Sequence, residues 1–98
     1  MKNFDEIKSI IEEHKEKLAL IFKVKEIGIF GSYVRGDQDE TSDIDVLVDY
    51  SDEHISLFDV LELKYYLEEL LGLTVDIVTK GALKPVIGKY IMDEVVFV

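Results

Sequence analysis

Residues 29–36 read Ile29-Phe30-Gly31-Ser32-Tyr33-Val34-Arg35-Gly36, and after a polar stretch from Asp37 to Ser42 the chain continues Asp43-Ile44-Asp45-Val46-Leu47-Val48. The first block is apolar and stops at a Gly-Ser pair, the pattern of a strand ending in a turn. Tyr33 to Gly36 fits one helical turn. In the second block Ile44, Val46 and Val48 point into a core, because successive strand residues face opposite sides. Asp43 and Asp45 therefore project together from the start of a buried strand.

Upstream, Phe4, Ile7, Ile10, Ile11, Leu18, Ile21 and Phe22 form a helical stripe. Asn3 and Glu6 have the spacing of a capping box, so one helix is expected from Asn3 to the neighbourhood of Phe22–Lys25. Glu26–Phe30 reads as a strand. Downstream, His54–Ser56 leads into a long helix with Leu57, Val60, Leu61, Leu67, Leu70 and Leu71 on its buried face and Gly72 as its C-cap. Leu73–Val78 reads as a third strand. Gly81 breaks the chain before a helix over Ala82–Asp93, with Pro85 in its first turn. Val95–Val98 is a short fourth strand or a docking tail. This order predicts an α/β (α+β) fold, a small mixed sheet of three to four strands with helices packed on it, with residues 1–98 as a single domain.

The chain has 98 residues, 48% of them hydrophobic, with one Pro and six Gly, which suffices for one core and excludes wholesale disorder. It has no Cys, which excludes a disulfide scaffold, a Cys-based zinc site and a thiol nucleophile. No apolar run approaches the ~18 residues of a membrane span. Met1-Lys2-Asn3-Phe4-Asp5-Glu6 turns acidic too early for a signal or transit peptide. A cytoplasmic protein without membrane contact is expected. Twenty-one acidic residues against eleven basic ones give a net charge of −10. That field repels a phosphate backbone, so direct nucleic-acid binding is not expected.

Paired carboxylates repel each other unless a divalent cation lies between them. Hard oxygen ligands suit Mg²⁺, which also accepts substrate phosphates. An Asp-x-Asp alone says little in a chain with ten Asp. Asp37 and Asp39 form another and read as solvated turn residues; what separates Asp43 and Asp45 is their place at the head of an apolar strand. Gly31 lets backbone approach a ligand closely. N–H groups at a helix start favour anions, and the Ser32 hydroxyl adds a donor. The pair suits the terminal phosphates of a nucleoside triphosphate, or is an ordinary strand-to-helix turn. Neither a Walker A loop nor a G-x-G-x-x-G loop is present.

Asp76 lies in Thr74-Val75-Asp76-Ile77-Val78. A charge within an apolar strand is costly unless paired or metal-bound. If this strand neighbours Asp43 and Asp45, three carboxylates converge, as in two-metal phosphoryl chemistry, and Asp76 could accept the proton of an attacking hydroxyl. Otherwise it is an exposed strand residue. His14 and His54 have no ligand partners at metal-binding spacing. Tyr65 and Tyr66 read as core and rim, and Asp49 as structural.

Gly31-Ser32, ten residues, then Asp43-x-Asp45 resembles the signature of the DNA polymerase β-like nucleotidyltransferases. The likeness is strongest to their minimal nucleotidyltransferases, the MNT proteins of prokaryotes, and extends through Val75-Asp76-Ile77-Val78 to Ala82–Val98. The resemblance implies the polymerase β-like fold and transfer of a nucleoside monophosphate from a triphosphate, ATP, with two Mg²⁺ ions. It implies that Gly31 and Ser32 hold the triphosphate, that Asp43 and Asp45 bind metal, and that Asp76 completes the catalytic and metal site. Arg35 matches the motif and either contacts phosphate or pairs with a nearby Asp. MNT proteins commonly resemble the antitoxin half of a pair whose partner is a HEPN-type ribonuclease toxin, adenylylated on a tyrosine. A binding-only antitoxin and a small-molecule nucleotidyltransferase are the alternatives, and a homo-oligomer stays open.

Overall fold

The computed structural model describes residues 2–98. The N-terminal stripe is helical but in two pieces, α1 (Phe4–Glu13) and α2 (Lys15–Phe22). The break falls at His14, whose Nδ1 lies 2.8 Å from the Ile10 carbonyl oxygen while its N–H donates to Ile11. A side chain that takes over a carbonyl of the i→i−4 ladder interrupts a helix, and this corrects the expectation of one continuous element. Asn3 and Glu6 do form the capping box.

Strands β1 (Val24–Phe30), β2 (Ile44–Tyr50), β3 (Val75–Thr79) and β4 (Val96–Phe97) form one mixed sheet in the order β3-β2-β1-β4. β1 is antiparallel to β2 and β4, and β2 is parallel to β3. Both central strands are longer than the sequence predicts. β1 begins at Val24 rather than Glu26, across a register shift, and β2 continues to Tyr50, which places Asp49 inside a strand. β3 begins at Val75 rather than Leu73. The C-terminal segment pairs with Gly28 and Ile29, so it is a strand.

A parallel pair needs a crossover, and α4 (Leu57–Leu71) supplies it between β2 and β3. Its buried face is Leu63, Leu67 and Leu71, each fully buried, while Leu57 is 73% exposed. Leu57 is the first residue of α4 and lines an open cavity with Ile55 and Val60 instead of the core, which corrects its expected place on the buried face. These leucines meet Ile7, Ile11 and Leu18 of the N-terminal helices over Ile27, Ile29, Ile44, Val46 and Val48 of the sheet. A single helical turn, α3 (Ser32–Arg35), follows β1 and is anchored by Tyr33, only 2% exposed. The last helix, α5 (Pro85–Glu94), starts at Pro85 rather than Ala82, because Lys80–Ala82 forms a separate 3₁₀ turn. α5 buries Gly88 and Ile91 and leaves Val86, Ile87 and Tyr90 exposed. Among the described residues no helix is long and apolar enough to cross a membrane.

Gly28 lets β4 close the sheet. A Cβ at this position would stand 2.5 Å from Val95 Cγ2 and 3.2 Å from the Val96 carbonyl oxygen. We expect Gly28→Val to destabilise the fold by about 1–3 kcal/mol, the usual range for overpacking. Thermal unfolding reads this directly, and an unchanged midpoint would mean that β4 is not held there.

Candidate active site

The sheet register gathers the residues singled out from the sequence. Asp45 is the register partner of Phe30, the last residue of β1, and of Asp76 on β3. The end of β1 thus adjoins the starts of β2 and β3, and Gly31, Ser32, Asp43, Asp45 and Asp76 meet at one end of the sheet. Asp43 and Asp76 are exposed, and Asp45 is half-buried. The start of β3 is tied to α4 by Glu68, whose Oε2 accepts from the Val75 N–H at 3.0 Å and from Lys64 Nζ at 3.0 Å. Those two donors, Val75 first, hold the Glu68 carboxyl below its usual range.

Gly31 answers two constraints at once. Its backbone (φ +81°, ψ −153°) lies in a region that essentially only glycine occupies. A Cβ there would also collide with the Asp45 carboxylate. The glycine therefore lets the turn pass directly against the half-buried Asp. The N–H groups of Val34 and Arg35 both donate to the Gly31 carbonyl, at 3.0 and 3.1 Å. Those of Ser32 and Tyr33 open the helix and have no intrahelical partner.

Burial raises the Asp45 pKa, and the negative charges of Asp76 and Asp43 raise it further against the opposing pull of Arg35. Like charges are thus concentrated on one half-buried carboxylate. Arg35 itself is engaged by carboxylates, with Nη1 2.7 Å from Glu94 Oε1 and Nε 3.2 Å from Asp37 Oδ2. Of its two readings, pairing with a nearby Asp is therefore the contact present, and a glutamate shares it. Asp37 is accordingly more than a solvated turn residue. Asp39 also builds structure, accepting from the Thr41 N–H at 2.8 Å and the Thr41 hydroxyl at 2.7 Å in the loop that leads to Asp43.

Glu94 is the residue that the sequence reading missed, since it ended the last helix at Asp93. Its Oε2 accepts from the Gly31 N–H at 3.0 Å. Arg35 first, and then Gly31, hold its carboxyl below the usual range. The readable signal was an acidic residue at a helix C-terminus, where the macrodipole disfavours it unless a specific partner compensates.

Among the described residues no three His, Cys, Asp or Glu side chains form a ready-made metal site. The donor chemistry nonetheless suits a hard cation. Asp43, Asp45 and Asp76 offer only oxygen, and a cation would relieve the repulsion on Asp45. A large open cavity of about 700 Å³ lies at the other end of β2 and β3, lined among others by Lys25, Tyr50, Ser51 and Thr79, away from these carboxylates.

A carboxyl whose folded pKa is raised binds more protons folded than unfolded, so its contribution to stability falls as pH rises through its titration. Asp45→Asn removes that penalty. In metal-free buffer at pH 7 the variant should melt a few degrees above the parent, and the gap should close below pH ~4, near the ordinary Asp pKa. Melting curves across that range check this, and a lower melting temperature at pH 7 would assign Asp45 a structural role.

Comparison with known proteins follows the same lines. The chain matches the nucleotidyltransferase domain model over residues 7–98. It is 52% identical over 98 residues to the protein adenylyltransferase MntA of Thermococcus cleftensis, covering 100% of this chain and 98% of that protein. A solved structure described as a candidate minimal nucleotidyltransferase superposes with a TM-score of 0.82 at 32% identity, covering 97% of this chain and 95% of that one. A toxin–antitoxin crystal structure with AMP-PNP contains a chain that superposes with a TM-score of 0.71 at 26% identity, covering 98% of this chain and 72% of that one.

Proposed function

The chain belongs to the nucleotidyltransferase family, and from that premise we propose that it is a protein adenylyltransferase, moving AMP from ATP to a hydroxyl of a partner protein. The partner in this reading is a HEPN-type toxin, the acceptor is one of its tyrosines, and modification neutralises it. The observation that carries the reading is the junction at the end of the sheet, where the Gly31 turn passes against Asp45 and Asp45 stands in register with Asp76. It unites a backbone turn suited to phosphate with carboxylates suited to cations.

In this reading residues 1–98 act as one minimal domain. Gly31 and Ser32 hold the triphosphate, with the Ser32 hydroxyl and the N–H groups that open α3 as donors. Arg35 sits at the end of the same turn. Asp43, Asp45 and Asp76 would hold Mg²⁺, two ions in all, which when bound supply charge neutralisation at the transferring phosphorus. The acceptor oxygen attacks the α-phosphorus in line, a new O–P bond forms, and pyrophosphate leaves with the electrons of the α–β bridging bond. Asp76, exposed at the start of β3, takes the proton of the attacking hydroxyl. The α5 face with Val86, Ile87 and Tyr90 exposed ends on Glu94 at this site, which favours a macromolecular acceptor. The net charge of −10 would steer a basic partner in.

The test mixes the purified chain, ATP, Mg²⁺ and the candidate toxin, and weighs both proteins by mass spectrometry. The expected result is one or more AMP units on the toxin, lost when Mg²⁺ is withheld and cut by about 10²–10³-fold in rate with Asp45→Asn, the scale of removing one group that stabilises transition-state charge. A toxin that is inhibited but unmodified would replace the enzyme with a binding-only antitoxin. A toxin neither modified nor bound would remove the antitoxin role altogether.

A further inference from the structure

Glu94 lies outside every motif read from the sequence, yet its one carboxylate spans the whole Gly-Ser turn. Oε2 accepts from the N–H of Gly31, which opens the turn, at 3.0 Å, and Oε1 accepts from Nη1 of Arg35, which closes it, at 2.7 Å. The two contacts differ in kind. The first supports a backbone conformation that only glycine adopts readily (φ +81°). The second is a charge-assisted pair that fixes a long, flexible side chain. Glu94 is itself set by α5, which is held to the body of the protein through buried Gly88 and Ile91.

We infer that Glu94 is a positioning residue for triphosphate binding. It locks Gly31 and Arg35 in place, so that the Ser32 hydroxyl and the opening N–H groups of α3 stand as a preformed set of donors. A flexible turn would have to be ordered at the moment of binding, and ordering it in advance removes that cost. Being an anion, Glu94 acts through Gly31 and Arg35 and not as a phosphate ligand. The inference rests on the nucleotidyltransferase reading of this site.

The test uses Glu94→Ala and Glu94→Gln in the full chain. Calorimetry measures Mg²⁺–ATP affinity, and hydrogen exchange followed by NMR measures protection of the Gly31 amide with Ile29 and Val46 as core references. The expected result for Glu94→Ala is a roughly tenfold weaker Kd and loss of Gly31 protection, with both core amides unchanged. Glu94→Gln retains an acceptor for the Gly31 N–H but loses the charge pair, and should fall between parent and Ala. Unchanged affinity with lost Gly31 protection would make Glu94 a structural tie only and overturn the inference. Tighter binding in either variant would overturn it in the opposite sense, marking Glu94 as a competitor for the phosphate position. Deprotection of the core amides in both variants would also overturn it, in favour of a general stabilising role. A parent chain that binds no triphosphate would overturn the nucleotide reading itself, and that failure is recognised because it appears in the parent and not only in the variants.

Discussion

The parallel register of β2 with β3 is the constraint on which the rest depends. It pairs Asp45 with Asp76, and the same alignment pairs Ile44 with Val75 and Val46 with Ile77 in the apolar layer beneath. A slip by one residue would turn every side chain of β3 to the other face, burying Asp76 and exposing Val75. The apolar core therefore enforces an electrostatic arrangement that the carboxylates on their own would resist. Stabilising energy from the core, drawn from Ile44, Val46, Val48 and the α4 leucines, holds like charges together at the end of the sheet.

The second organising contact is the approach of Gly31 to Asp45. It joins the end of β1 to the start of β2 so closely that a side chain has no room, and the resulting turn is braced from the far end of the chain by Glu94. Two neighbouring segments and one from the far end of the chain thus share one small volume. Each brings a different property: a bare backbone, a set of carboxylates, and a counter-carboxylate that restrains the single arginine of the turn. This division suits a family whose chemistry is mostly placement of charge and orientation of a phosphoryl group.

Much of the fold was legible because its periodicities are local. The stripe of Phe4, Ile7 and Ile11, the alternation of Ile44, Val46 and Val48, and the capping box at Asn3 all report on neighbours a few residues away. The Gly-Ser and Asp-x-Asp elements were legible for the same reason, since their spacing lies within one strand-turn-strand unit. What was hidden depends on distant partners. His14 breaks the first helix by turning its ring onto Ile10, a choice that an unbroken apolar stripe does not reveal. Leu57 fits the apolar stripe of α4, and only its place at the helix's first turn, beside an open cavity, leaves it exposed. Glu94 escaped notice because its two partners lie about sixty residues upstream, and no short-range pattern encodes a contact of that span.

The crossover connection sets where the cost of gathering the carboxylates falls. β1 and β2 pair antiparallel across residues 31–43, whereas β2 and β3 pair across residues 51–74, so the first closure costs somewhat less loop entropy. The pairing of β2 with β3 closes the longer connection, with the whole of α4 inside it, and so carries the larger loop cost. The repulsion between Asp45 and Asp76 therefore falls on the more non-local of the two pairings. A cation held between these carboxylates would relieve that repulsion, so its binding would favour the pairing of β2 with β3 as well as the chemistry proposed for the site.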